Sequence, residues 1–572
     1  MMLTRQLNYN FLIQLFSVNF LLVLAACSPV DNDIRKNSIH DDSVIYCAEG
    51  SPETFNPQLV TSGTTIDASA KQLYDRLLAF NPEDNSLIPA LAKSWHITHD
   101  GKMITFYLRK NVSFNHTDYF TPTRKLNADD VIFSFKRILD KNNPYHDVSG
   151  GKYPFFQTIK FSQLVNDVEK INDYTVRFKL NHSDSSFLSN LATDFSVILS
   201  AEYAEHLIKT KQKNLLDKRP IGTGPYKLKE FRSGSFIRFY RNPDYWAHPI
   251  KIEQLVYDIT PINTGRLTKL LTKECDVISY PIAHNKIINH SDFNLDSVTS
   301  FNVGYLGFNV TKPPFDNILV RKAIAHAINF AAIIHIIYGD QAQLASSLLP
   351  ENSWAHSKTK NKYQYSIPLA KSLLERAGYA QGFTMDLWAM PIQRAYNPNA
   401  LKMAKLIQAD LQHIGIKVKI VSYQWNTFLR RLANGEHDAV LLGWSADQAD
   451  PDNFFTPLLS CAARYTGGNR TFWCNKDYDQ LLAKALSTSE LAIRKQYYQQ
   501  ALAIIDNELP LLPIAHSKRY QARIKTVKGQ ILPPFGGIDF SNVSKQVLEN
   551  SSQDLAQKSR INTLDETKIG DN

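Results

Sequence analysis

Residues 399–444 read NALKMAKLIQADLQHIGIKVKIVSYQWNTFLRRLANGEHDAVLLGW. From Asn399 to Ile414 the apolar residues keep helical spacing, and Gly415 supplies a stop. Ile416–Val421 follows as a strand. Ala439–Gly443 is wholly apolar, the pattern of a buried strand, and it ends at Trp444. Strands alternating with helices predict an α/β protein.

The same alternation continues outward. Val44–Cys47 reads as a strand and Asp67–Ala79 as a helix. Asp100-Gly101 turns into Met103–Leu108, which alternates. Asn127 caps a helix running through Arg137, with Asp129 and Asp130 in its first turn, where acids suit the helix dipole. Tyr174–Leu180 is a further strand. Leu319–Phe330, Leu369–Ala377 (stopped by Gly378) and Glu490–Leu509 read as helices. No internal repeat is visible. Residues 549–572 are polar without periodicity and are expected to be disordered.

A chain of 572 residues holds two to four domains of ordinary size. Its 44% hydrophobic and 21% charged residues fit a globular protein. Twenty-three glycines and 26 prolines exclude collagen-like and low-complexity classes. Mean hydropathy is −0.28, and the one long apolar run is N-terminal, which excludes a polytopic membrane protein. Aromatics reach 11%, a generous share that suits a ligand-lining surface or a large core. The 64 basic and 54 acidic residues are interspersed without a run of five like charges, so no nucleic-acid arm is indicated.

Residues 1–26 carry Arg5 as their one charge, then an apolar stretch ending Leu24-Ala25-Ala26-Cys27. That is the layout of a secretory signal, too short for a spanning helix. Without it the net charge drops from +10 to +9, since Arg5 leaves and no acid does. The tetrad before the cut resembles a bacterial lipobox, in which Cys27 would be acylated and become the new N-terminus. Two or more acyl chains anchor a protein firmly. Residues 27–43 are then a flexible tether. Cys47, Cys275, Cys461 and Cys474 remain, an even number that suggests two disulfides in an exported chain. Cys461 and Cys474 would close a local loop, leaving Cys47 with Cys275. The alternative is a zinc site, but there is no CxxC and no HExxH.

Enzyme signatures are missing. There is no GxSxG elbow and no GxxxxGK loop. Gly222-Thr223-Gly224 leads into Pro225 and a strand, whereas a dinucleotide fingerprint needs a helix there. His96 and His99 flank a polar turn and read as exposed. Asp447, Asp450 and Asp452 follow the buried strand, but their spacing fits neither a calcium loop nor a metalloprotease. No cofactor is called for.

Five blocks carry a resemblance: YCAEGSPETFNPQ (46–58), NADDVIFSFKR (127–137), IGTGPY (221–226), DLWAMPIQRAYNPNA (386–400) and GWSADQADPDNFF (443–455). Together the chain from about 44 to 548 resembles the extracytoplasmic peptide-binding proteins of ABC importers, nearest the dipeptide-binding branch. That branch has relatives that bind haem, and Sap-type relatives linked to antimicrobial peptides. NTGRLTKLLTKECDV (263–277) and LPLLPIAHS (509–517) look as Sap-like as dipeptide-like.

The resemblance implies a two-lobed α/β periplasmic binding protein with an enlarged first lobe. Lobe I would comprise 44–301 plus 518–548, with an inserted subdomain at about 83–221, and lobe II 302–517. The hinge would cross near Ser300-Phe301-Asn302 and Ala515-His516-Ser517. The disulfides would be Cys47–Cys275 and Cys461–Cys474. The expected partners are a short peptide or haem, a membrane permease with a separate ATPase, and a membrane through the lipid; the chain itself is expected to be a monomer.

By the same resemblance Asp447 receives a peptide's α-ammonium and Arg394 its α-carboxylate. Ala446 stands where the family often has glycine. Burying both poles of a zwitterion demands a partner for each, and a guanidinium suits a carboxylate. An extended residue covers about 3.3–3.6 Å, so a fixed spacing between the two partners selects length. Backbone around Thr61, Ser62 and Gly63 and around Gly443 to Ser445 would pair with the peptide. Tyr396, Trp444 and Trp425 would wall its pockets.

Overall fold

The computed structural model describes residues 43–546, except 340, 358–362, 467 and 530. The signal, Cys27, the tether up to Asp42 and the 549–572 tail lie outside the described residues.

Sixteen strands set the frame. In the first stretch β1 is Ser43–Ala48, β2 Ala92–Ile97, β3 Met103–Leu108, β4 Val165–Asn172 and β5 Thr175–Leu180. Then come β6 Tyr226–Arg232, β7 Phe236–Arg241, β8 Gln254–Ile259, β9 Val277–Ser279 and β10 Phe293–Thr299. The remainder are β11 Asn302–Phe308, β12 Ala342–Leu344, β13 Thr384–Ala389, β14 Lys417–Val421, β15 Ala439–Ser445 and β16 Leu511–Ile524.

Twelve of them form one sheet, ordered β14-β13-β15-β11-β16-β9-β1-β8-β7-β6, with β10 and β12 also on β16. The centre is where the apolar runs fall. Every residue of β11 is buried, as are Ala439 to Gly443 of β15, which explains strands that lack polar alternation. β16 joins the two ends of the sheet. Its Leu511–Ala515 stretch pairs with β11, and its Lys518–Ile524 stretch pairs with β10. The chain passes from β10 to β11 through Ser300 and Phe301, opposite His516 and Ser517. Asn302 ties that point: its amide donates to the Ser517 carbonyl at 2.9 Å, and the Ser517 N–H donates back to it at 3.0 Å.

A separate antiparallel sheet, β2-β3-β5-β4, packs under the helix Ala128–Leu139. Asn127 starts that helix with a capping box, its side chain accepting from the Asp129 N–H while Asp130 accepts from the Asn127 N–H at 2.9 Å. Arg124 clamps Asp130 with two bonds of 2.7 and 2.8 Å. Both disulfides are present: Cys47–Cys275 links the end of β1 to the entry of β9 at a Cα separation of 5.9 Å, and Cys461–Cys474 spans 4.5 Å.

Two elements differ from expectation. The helix expected over Asp67–Ala79 is Gly63–Leu73, because Tyr74 turns extended and Leu78–Phe80 pairs with Leu87–Pro89. The helix expected over Leu319–Phe330 stops at Ala327. Asn329 then accepts from the Ala332 N–H and caps a second helix, Phe330–Tyr338. Gly222 and Gly224 lead into β6, not a helix, and lie against the Leu73–Tyr74 backbone; a Cβ on Gly222 would sit 1.9 Å from the Leu73 carbonyl oxygen.

Candidate functional site

The β15 strand carries one part of the site. Gly443 and Ser445 pair with Gly304 and Asn302 of β11. On the other side β13 follows β15 only as far as Leu441, so the edge from Leu442 to Ser445 has no strand beside it. The Tyr396 residue lies across one face of this pair: a Cβ on Gly443 would fall 2.2 Å from Tyr396 Cδ2, and one on Gly304 would fall 2.2 Å from the Tyr396 carbonyl oxygen. Two glycines thus make room for this buried tyrosine, whose carbonyl accepts from the Tyr338 hydroxyl at 2.7 Å.

Beyond β15 the chain bends around Asn453. Its amide oxygen accepts from the Trp444 indole N–H at 3.1 Å and from the Asp447 backbone N–H at 3.0 Å. Asp447 is half-buried and has no ion-pair partner among the described residues. Burial first, then the like charge of Asp194, push its carboxyl up to about 7, against a hydrogen bond from Asn453. Next to it, the Gln448 amide donates to Asn190 at 2.6 Å, joining this loop to the helix Phe187–Ala192. Asp450 and Asp452, its companions in the acidic cluster, are engaged elsewhere. Asp450 pairs with Arg494 at 2.8 Å, and Asp452 accepts from the Thr456 hydroxyl. Burial and Asp450 push Asp452 up to about 7 as well.

Arg394 sits in the loop after β13, where its backbone bridges Asn397. Its Nη1 donates to both carboxylate oxygens of Glu49, at 3.1 and 3.3 Å, and to the Gln393 carbonyl. The guanidinium also stands 5.8 Å from the Tyr280 ring. Glu49 follows β1 and Arg394 follows β13, so this ion pair crosses between the two ends of the sheet. Glu49 lies inside the 46–58 block, yet nothing in the sequence singles it out. A lone acid beside a turn gives no sign of a partner 345 positions away.

The other expected residues are more dispersed. Thr61 and Gly63 are exposed at the start of the Gly63–Leu73 helix, and the Ser62 hydroxyl is buried without a hydrogen-bond partner. Trp425 opens the helix Trp425–Ala433 and stacks on Phe428 at 5.8 Å, part of the core around β13 and β15. Asp67, not singled out from sequence, is lifted by burial to about 6; Arg519 opposes the rise, while Glu49 and Asp194 add to it.

A cavity of about 470 Å³ opens beside Arg394. Its walls come from Tyr280–Lys286 on one side and from Tyr338, Gln393 and Pro398 on the other, with Ser517 and Lys518 beneath. Among the described residues, no group of three His, Cys, Asp or Glu side chains is arranged to hold a metal ion.

Comparison with known proteins agrees with this architecture. The sequence model for "Bacterial extracellular solute-binding proteins, family 5 Middle" matches residues 86–466. The chain is 44% identical to the dipeptide-binding protein of Escherichia coli (strain K12) over 511 residues, 89% of this chain and 95% of that protein. It is 43% identical to the probable ABC transporter periplasmic-binding protein SapA of the same strain, covering 92% and 95%. The crystal structure of a dipeptide-binding protein from Pseudoalteromonas sp. SM9913 in complex with Met-Leu superposes with a TM-score of 0.84 at 50% identity, covering 88% of this chain and all of that one. The two-part sheet joined through β16 is therefore the two-lobed α/β architecture of periplasmic binding proteins, and this chain belongs to the family 5 bacterial extracellular solute-binding proteins.

Proposed function

We propose that this chain is the ligand-capturing subunit of an ABC peptide importer, working in the periplasm and held to a membrane through lipid on Cys27. It captures short peptides and hands them to a permease driven by a separate ATPase. Members of this family bind solutes for transport and do not convert them. The names of the E. coli relatives and the Met-Leu complex support the peptide class.

Lobe I comprises 44–301 and 518–548, with the subdomain at about 83–221, and lobe II comprises 302–517. The pairing switch of β16 at His516-Ser517 supports that division. The hinge bends there and at Ser300–Asn302, and closure shuts the cleft over the ligand.

One observation carries the reading: Asp447 is a half-buried carboxylate without a cation partner, held beside a second carboxylate. An unpaired charge in such a place is costly, and an arriving ammonium removes the cost. Arg394 holds the carboxylate pole, in exchange with Glu49. The unpaired β15 edge at Gly443–Ser445 supplies backbone groups, and Trp444 and Tyr396 flank them.

Calorimetry with Ala-Ala tests this. Asp447→Ala should weaken binding by about 2–5 kcal/mol, the range for removing one partner of a desolvated pair. Unchanged affinity would remove Asp447 from the site. A Soret band that grows on adding haem to a chain that ignores dipeptides would favour the haem reading, and release of free amino acids would favour an enzyme. For the anchor, a Cys27→Ser chain should leave the membrane fraction.

A further inference from the structure

We infer that Ser183–Ser185 and the carboxyl end of the helix Lys476–Leu486 form a latch between the lobes, whose residues touch no ligand and set how long a captured peptide is held. This rests on the two-lobe, peptide-capturing reading above, and it adds positioning residues that belong to neither the Asp447 nor the Arg394 surroundings.

The latch begins with an ordinary property of helices. The last carbonyls of a helix have no partner inside it and carry partial negative charge. The helix Lys476–Leu486 ends at Ser487, whose N–H is spent on the Ala483 and Lys484 carbonyls. The Leu486 carbonyl accepts from the Ser185 N–H at 2.8 Å, and the Ser487 carbonyl accepts from the Ser183 hydroxyl at 3.3 Å. Both donors lie in the loop after β5, and Ser183 is 304 positions from Ser487. A loop of lobe I therefore completes the end of a lobe II helix.

The loop is shaped to present those donors. Asp184 accepts from the Ser186 N–H at 2.8 Å and from its hydroxyl at 2.7 Å, which fixes the turn between them. Gly101, in left-handed backbone at φ 68°, backs Ser183: a Cβ there would fall 2.9 Å from Ser183 Cβ. The Ser185 hydroxyl is buried without a hydrogen-bond partner among the described residues, so the space beside the Leu486 contact is already filled.

Neighbouring contacts follow the same line. Ala463–Thr466 of lobe II lies against Pro154–Thr158 of lobe I. Lys160 is close enough to Asp479, in the first turn of the latch helix, to favour its charged form. These contacts make a seam distinct from the Glu49–Arg394 pair. Opening the lobes exchanges the seam's bonds for bonds to water, so losing one shifts the closed-to-open ratio only about two- to tenfold. Closure follows entry of the ligand, so weaker closure shows in the dissociation rate more than in the association rate.

Stopped-flow tryptophan fluorescence with Ala-Ala tests the latch on the natural chain, Ser185→Arg, Ser183→Glu and Ser183→Lys. An arginine at 185 has no room beside Leu486 and wedges the seam apart. At 183 a glutamate opposes the negative helix end and a lysine suits it. Ser185→Arg should release Ala-Ala at least about fivefold faster, with association within about twofold. Ser183→Glu should release it about two- to fivefold faster, and Ser183→Lys no faster than the natural chain. Small-angle X-ray scattering should give peptide-loaded Ser185→Arg a larger radius of gyration than the loaded natural chain at an unchanged melting temperature, which a local loss of structure would not produce. The two Ser183 variants, at a half-buried position, decide the matter should Ser185→Arg fail to fold. Equal release rates throughout overturn the latch and leave the peptide reading standing. Faster release from both Ser183 variants, whatever the sign of the charge, also overturns it. If the natural chain binds no Ala-Ala, the peptide reading fails, and the latch fails with it.

Discussion

Proton-linked binding is the sharpest consequence of the Asp447 environment. Free, this carboxyl titrates at about 7. With an ammonium against it, the charged form is favoured and the group titrates lower. Capture below pH 7 then releases a proton, so affinity rises with pH until the free group is ionised. At pH 5 a group of pKa about 7 is about 1% ionised, and at pH 7 about half. Affinity for Ala-Ala should therefore rise about 50-fold between these values, about 2.3 kcal/mol. The ligand does not interfere, since its carboxyl titrates near 3.5 and its amine near 8, both approximate. Asp67 at about 6 and Asp452 at about 7 also titrate in this window. Asp447→Asn separates them, because it keeps both and removes only the group in question. Calorimetry at pH 5, 6 and 7 should give a steep rise for the natural chain and a shallow one for the variant. Equal slopes in the two would refute the reasoning. Stability runs the opposite way: the folded pKa lies above the unfolded one, so the stabilising contribution present at low pH is lost as pH rises from about 4 to about 7.

Other changes follow from the same geometry. Glu49→Gln frees Arg394 from its ion pair and should tighten Ala-Ala binding several-fold by calorimetry; weaker binding would mean that Glu49 itself touches the ligand. Gly443→Ala drives a methyl into the Tyr396 ring and should cost about 1–3 kcal/mol of stability in denaturant titration, together with a loss of peptide affinity. Replacing Cys461 and Cys474 by serine opens a loop spanning 13 positions and should cost about 3 kcal/mol in the same titration.

The strands and helices around the site were legible where the chain repeats a strong local signal. Ala400–Gln412 was read within two residues because Asn399 caps it and Gly415, at φ +81°, ends it. Ala439–Gly443 was legible because nothing in it is polar. Two boundaries failed for physical reasons. Leu78–Phe80 is too short to display alternation, and the apolar residues of 318–338 mask the break that Asn329 makes. Asp447 and Arg394 were named through the resemblance, not through spacing. Their surroundings were beyond any local reading: Glu49 reaches Arg394 from 345 positions away, and Asn190 reaches Gln448 from 258. Contacts of that kind exist only after the sheet has assembled.

β16 has a consequence for how the molecule comes into being. Synthesis proceeds from the N-terminus, yet β10 and the edge of β9 that faces away from β1 find their neighbour only in residues 518–524. The portion made first must therefore wait, with open strand edges, for nearly the last portion to emerge. The stretch from Asn302 to Ser517, by contrast, carries its share of β16 within itself. A chain truncated before Lys518 should leave β9 and β10 with an exposed edge ready to pair with another chain.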